Sequence, residues 1–147
     1  MDINNQKSFL ELKVIWKDDD MFELKVTASN GRYLGTTEVY DTSETLTEFA
    51  NSLEGYPTNS DILFHEAGQK DNYAYFSMKF CFIDSAGLVG VQITLEDNVS
   101  TVYRPEEKSK MTLEIIVEPN AIDNFQKALL TLAIKQDGIA TLYGRDS

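Results

Sequence analysis

The chain has 147 residues, of which 24 are acidic and 13 are basic, for a net charge of −11 at pH 7. Charged residues make up 25% and hydrophobic residues 42%, which is typical of a globular fold and excludes a disordered chain. Because the acidic residues are spread along the sequence, we expect a negative surface that repels nucleic acid and anionic membranes and attracts a basic partner.

The length predicts a single domain, residues 1–147, long enough to bury roughly two-thirds of its unfolded surface. No apolar run approaches the roughly 18 residues that a membrane-spanning helix needs, and the polar residues 1–7 lack the apolar core of a signal peptide. The single cysteine, Cys81, cannot form an internal disulfide. These features favour a cytoplasmic protein, although a secreted effector without a classical signal would share them.

The first 40 residues alternate apolar and polar side chains with a period of two. This pattern predicts antiparallel strands with one face on the core and the other in solvent. Asn30-Gly31 is a strong signal for a tight turn between the second strand, 22–28, and the third, 32–40. The apolar positions of the first strand, which are predicted to share one face, are Leu10, Leu12, Val14 and Trp16.

Helical spacing replaces this alternation over residues 43–54, where apolar side chains recur every three or four positions. Asp41-Thr42-Ser43 can cap the first turn of this helix, and Gly55 favours its end. A second helix is predicted to begin at Asn120 as its cap and to end before Gly138.

Short alternating segments lie between the two helices and after the second. The predicted order is three strands, a helix, four strands, a helix and a final strand, which indicates an α+β fold of mainly antiparallel sheet with seven or eight strands. The sheet is expected to be strongly bent or to form a sandwich. The later predicted strands are 62–66, 73–83, 89–95, 111–117 and 139–143.

Residue types that carry catalysis or bind metal are scarce. The one histidine, His65, supports neither a zinc site nor a Cys–His nucleophile, and we expect a hydrogen-bonded or exposed side chain there. Counted from Asp18, a calcium loop needs glycine at position six and glutamate at position twelve, where this chain has Glu23 and Ser29. We therefore predict no catalytic residue, no metal site, no cofactor and no enzyme activity.

Arginine is also scarce, which argues against a nucleic-acid partner. Only Arg32, Arg104 and Arg145 are present, too few to build a basic groove. We expect neither nucleic acid nor membrane to be a partner.

The acidic residues instead favour a surface for a basic protein. Several fall in predicted turns and loops, where binding residues are presented by a rigid scaffold, and tyrosines of the aromatic strand could supply a contact patch. The alternatives are that the acids only confer solubility and that the strand is a buried central one. The predicted partner-binding residues are Asp18, Asp19, Asp20, Glu66, Asp71, Tyr73, Tyr75, Glu96, Asp97, Glu106 and Glu107.

The chain also resembles a group of small acidic bacterial proteins over most of its length. The similarity lies in residues 35–40 (GTTEVY), in 49–57 (FANSLEGYP), in 84–87 (DSAG) before an alternating strand, and in 122–125 (IDNF) at the last helix. Related-looking acidic proteins of this size are immunity proteins encoded beside contact-dependent toxins. The resemblance implies a protein that neutralises a toxin by binding it.

Three functions remain open at this point. The first is a cytoplasmic immunity protein that masks a basic toxin domain, for example a nuclease. The second is a β module that binds a small molecule or carbohydrate on a sheet face lined by Tyr73, Tyr75 or Trp16. The third is a hydrolase that works through paired carboxylates such as Glu106 and Glu107.

Overall fold

The structure, a computed structural model, describes residues 7–57, 61–70, 73–98 and 105–145. It contains two four-stranded antiparallel sheets and two helices, so the predicted α+β class and order of elements are confirmed. In chain order the elements are β1 (Phe9–Lys17), β2 (Phe22–Ser29), β3 (Leu34–Asp41), α1 (Ser43–Ser52), β4 (Leu63–Gly68), β5 (Tyr75–Phe82), β6 (Val89–Asn98), a 3-10 turn (Pro105–Glu107), β7 (Lys108–Val117), α2 (Pro119–Lys135) and β8 (Ile139–Tyr143).

The strand order is β3-β2-β1-β8 in the first sheet and β4-β5-β6-β7 in the second. The β8 strand therefore joins the first sheet beside β1, although the whole second sheet lies between them in sequence. All neighbouring strands are antiparallel. The alternation of apolar side chains holds because each sheet turns one face to the core.

Most element boundaries fall within a few residues of their predicted positions. The Thr42 hydroxyl accepts a hydrogen bond from the Thr45 amide at 3.2 Å and caps α1, as the sequence indicates. Two expectations are wrong. Residues 67 and 68, which lie beyond the predicted strand 62–66, continue β4, and α2 begins at Pro119, so Asn120 lies inside the first turn. Proline suits that first position because the amide it lacks would have no partner in the helix.

The first strand also departs from its predicted pattern. The register of β1 against β2 shifts between Val14 and Trp16, which marks a β-bulge. A bulge adds one residue to one strand and re-aims the side chains that follow. Trp16 consequently pairs with Glu23 on the outer face and does not join Leu10 and Leu12 in the core.

One hydrophobic core contains side chains from both sheets and both helices. Its centre is aromatic: Phe125 of α2 stacks on Phe80 of β5 with ring centroids 6.5 Å apart, and Phe49 of α1 lies 5.8 Å from the same Phe80 ring. Both helices therefore pack on the second sheet. They also bind each other, since the Ser43 hydroxyl donates to the Ala133 carbonyl at 2.6 Å and the Gln126 amide to the Ala50 carbonyl at 3.1 Å.

Two polar contacts tie β3 to the second sheet. The Thr37 hydroxyl donates to the backbone carbonyl of Glu96 at 2.8 Å. At the last residue of β3, Asp41 Oδ2 lies 2.7 Å from His65 Nε2, and both side chains are buried. His65 is hydrogen-bonded, as expected, and it belongs to the core. Buried polar groups persist where each has a partner, so this pair is a structural link between the sheets.

Candidate partner-binding surface

The structure divides the predicted partner-binding residues into two groups that belong to different sheets. Asp18, Asp19 and Asp20 form the connection between β1 and β2. Asp71 lies outside the described residues. The remaining seven lie around one end of the second sheet, where β4 ends, β5 begins, β6 ends and β7 begins, and they are called the sheet-end group: Glu66, Tyr73, Tyr75, Glu96, Asp97, Glu106 and Glu107.

The aspartate hairpin is a tight turn held by its first carboxylate. Asp18 Oδ1 accepts hydrogen bonds from the backbone amides of Asp20 at 2.8 Å and Met21 at 2.9 Å. The Asp18 amide donates to the Met21 carbonyl at 2.9 Å and closes the turn. This is the local pairing that favours aspartate in turns. Asp19 and Asp20 are left exposed, so their charge faces solvent.

Two exposed aromatic rings lie beside this hairpin. The Trp16 and Tyr40 rings meet edge to face, with centroids 6.1 Å apart and planes at 86°. About half of each side chain is exposed, 47% for Trp16 and 54% for Tyr40. Edge-to-face contact is a favoured arrangement of aromatic rings, so the pair presents a preformed apolar patch to solvent.

The sheet register places an acid between the two rings. Glu23 of β2 pairs with Trp16 on one side and with Tyr40 on the other. We call the patch formed by Trp16, Asp18, Asp19, Asp20, Glu23 and Tyr40 the hairpin surface. The next row along the sheet is mixed in charge, since Lys25 lies between Lys13 and Glu38.

The sheet-end group is less suited to a basic partner, because one of its tyrosines is buried. Tyr75 is 4% exposed, and its hydroxyl donates to Glu66 Oε1 at 2.7 Å. Burial, the larger cause, and the hydrogen bond to Glu66 together raise the pKa of Tyr75 to about 12. Tyr75 is thus a neutral donor to an acid of its own chain and contributes little to any outside surface.

Lysines further weaken the negative potential at this end. Glu96 is 2% exposed, and its Oε2 lies 4.0 Å from the ammonium group of Lys110. Lys70 and Lys79 line the same outer face of the second sheet. Five members of the group are exposed, but they share their surroundings with cations: Glu66, Tyr73, Asp97, Glu106 and Glu107.

The hairpin surface therefore best combines exposed rings with a surplus of acid, since its four carboxylates lie beside one exposed cation, Lys17. Sequence reasoning found its three aspartates but assigned neither Glu23 nor Tyr40 to a binding site, and it named Trp16 only for the alternative small-molecule or carbohydrate site. Glu23 and Tyr40 carried a usable signal, because both occupy outward positions of their strands in the alternating pattern. The position of Trp16 carried none, because the bulge that turns it outward leaves the alternation of its strand unbroken.

The described ranges also lack two features that would indicate other kinds of site. Nowhere in them do three His, Cys, Asp or Glu side chains lie close enough together to hold a metal ion. None of their helices is both long and apolar enough to cross a membrane.

Comparison of the chain with protein-family models, curated protein sequences and solved structures finds no match. Function is therefore inferred from the geometry and charge of the surface.

Proposed function

We propose that this protein binds and masks a basic protein partner through the hairpin surface, and that the partner is a toxin domain such as a nuclease. In this role the protein is a cytoplasmic immunity protein with no catalytic activity of its own. The observation that supports the proposal is the exposed Trp16–Tyr40 pair directly beside three consecutive aspartates.

The two components of the surface serve different steps of binding. Tryptophan and tyrosine dominate the energetic centres of protein interfaces, because they bury a large area and lose few rotatable bonds. Surface carboxylates change the rate of encounter more than the final affinity. A nuclease needs a positive surface to hold its substrate, and an acidic protein that occupies that surface excludes the nucleic acid.

Co-expression with the protein encoded by the neighbouring reading frame tests the proposal. We expect a stable complex. In surface plasmon resonance, Tyr40→Ala should raise Kd by about 10- to 30-fold, mainly through faster dissociation. Tyr143→Ala is the matched control, because Tyr143 is an equally exposed tyrosine on β8 at the opposite edge of the same sheet. This control should leave Kd within about twofold.

Charge is tested by a second matched pair. The double variant D19N/D20N should lower the association rate several-fold at low salt, whereas E106Q/E107Q removes the same charge at the sheet end and should have little effect. The proposal is wrong if no complex forms. If a complex forms but both charge variants slow association equally, the partner does not use the hairpin surface.

A further inference from the structure

The outer face of the second sheet holds a recess of about 240 Å³ that is independent of the hairpin surface. Its lining comes from strands β4 to β7 and from Lys70, which follows β4. Aromatic, hydroxyl and ammonium groups line it, among them those of Phe64, Ser77, Lys79, Thr94, Lys110 and Thr112.

The floor of the recess is a row of hydroxyl groups. Ser77, Thr94 and Thr112 are cross-strand neighbours on β5, β6 and β7. The two threonine hydroxyls lie 3.2 Å apart, within hydrogen-bonding distance. A hydroxyl both donates and accepts, and its hydrogen rotates to suit the partner. The row can therefore donate to an acceptor placed above it.

Lysines lie on both sides of this floor. In the outward-facing row next to the floor in one direction along the strands, Lys79 pairs with Gln92. In the next such row in the opposite direction, Lys110 pairs with Glu96. From the spacing of strands and residues in a sheet, their Cα atoms are on the order of 17 Å apart. Two long side chains that line one recess from opposite sides suit an anion held between them.

Carboxylates border the recess as well as lysines. Glu66 pairs with Ser77 at one end of the hydroxyl row, and Glu114 pairs with Gln92 in the row of Lys79. Their oxygens accept hydrogen bonds from Tyr75 and Gln92. Lys70 and Lys79 form no ion pair with any residue of the described ranges, and no carboxylate lines the recess within those ranges. Lys110 lies 4.0 Å from one buried oxygen of Glu96.

We propose that this recess binds a small organic anion, a phosphate or carboxylate group on a polar body about the size of one sugar. The acidic group lies between Lys79 and Lys110 and accepts hydrogen bonds from the threonine hydroxyls, while the exposed ring of Phe64 covers one side of the polar body. The size follows from the volume, which is below the roughly 300–1,000 Å³ of pockets that hold drug-sized ligands. Tyr75 also lines the recess, but its hydroxyl is engaged with Glu66.

Isothermal titration calorimetry with four probes tests the proposal: inorganic phosphate, glucose 6-phosphate, glucuronate and glucose. We expect saturable one-to-one binding of glucose 6-phosphate or glucuronate, and none of glucose. Comparison of the two sugars distinguishes phosphate from carboxylate, and inorganic phosphate shows whether the polar body contributes. Binding should weaken as salt is added, because charge-assisted contacts are screened.

Matched variants locate the site. K79M/K110M should weaken binding at least about tenfold, because it removes both charged donors. K13M/K25M removes two exposed, cross-strand lysines from the first sheet and should leave the affinity unchanged. T94V/T112V keeps every charge and should also weaken binding, which guards against a folding defect in the lysine variant.

The inference is overturned if neither sugar acid binds, if glucose binds equally well, or if the two lysine pairs weaken binding alike. Its outcome is separable from that of the proposed function, since K79M/K110M leaves the hairpin surface untouched and should not change association with the basic partner.

Discussion

His65 shows how a single residue type can suggest chemistry where the fold uses it for structure. Its Nε2 faces Asp41 Oδ2 at 2.7 Å, and the Phe49 ring lies 5.2 Å from the imidazole. The other oxygen of Asp41 accepts a hydrogen bond from the Thr42 amide at 2.8 Å, one residue before α1. Asp41 therefore joins the end of β3, the start of α1 and the second sheet. Removing one member of such a buried pair leaves a polar group without a partner, which costs more than the pair itself contributes.

Tyr75 should make the stability of the protein depend on pH, because its pKa differs between the folded and unfolded states. Burial and the Glu66 carboxylate raise its pKa from 10 to about 12. As the pH rises above 10, the unfolded chain loses its phenol proton first, so the unfolded state is favoured. The free energy of unfolding should fall by up to about 1.4 kcal/mol for each pH unit between 10 and about 12.

Urea unfolding of the wild type and of Tyr75→Phe across this pH range measures the effect. The variant has no phenol at this position. As the pH rises from 10 to 12, the wild type should therefore lose unfolding free energy relative to the variant. Below pH 10 the difference should be constant. Parallel curves throughout the range would show that the Tyr75 hydroxyl titrates normally.

Gly68, at the end of β4, should tolerate a side chain poorly. Its φ is +91°, a conformation that side chains with a Cβ rarely adopt, and an added Cβ would lie 2.2 Å from the Ala74 carbonyl oxygen and 3.0 Å from Val39 Cγ1. Gly138 has nearly the same φ, +93°, but no atom lies within 4 Å of an added Cβ there. The two positions therefore share the backbone penalty and differ in the clash.

Gly138→Ala should cost about 1 kcal/mol of unfolding free energy from the backbone alone. Gly68→Ala should cost about 2 kcal/mol more, because the Ala74 carbonyl oxygen and the Val39 side chain of β3 must move to admit the methyl group. Denaturant unfolding of both variants measures the difference. Equal losses would mean that the β4–β5 connection yields without cost.

The elements also show what the sequence could and could not predict. The Asn30-Gly31 turn, the Thr42 cap and the alternation in β6 and β7 are local signals, and each predicted its element. The bulge after Val14 is not local, because it depends on how β1 pairs with β2. It decides whether Trp16 packs in the core or reaches solvent.

The candidate site was accordingly predicted only in part. The exposure of Asp18, Asp19 and Asp20 follows from their place in a hairpin and was predictable. The burial of Tyr75 and Glu96 depends on their being cross-strand neighbours on a central strand pair. The meeting of Trp16 and Tyr40 across β2 likewise depends on strand order, which no run of consecutive residues encodes.

At the scale of the whole molecule, the net charge of −11 acts on folding and on binding with opposite signs. Like charges on one compact surface repel each other, so added salt should stabilise the isolated protein by screening that repulsion. The same screening weakens attraction to a basic partner, so the association rate should fall over the same range of sodium chloride concentration.

Thermal unfolding of the isolated protein and association kinetics with the co-expressed partner, both measured between low and physiological salt, test this pair of effects together. We expect Tm to rise by a few degrees while the association rate falls about tenfold or more. The D19N/D20N variant, which lacks two of the eleven surplus charges, should show a smaller change in both. If Tm does not rise with salt, self-repulsion is negligible, and if the rate is indifferent to salt, the acidic hairpin does not steer the partner.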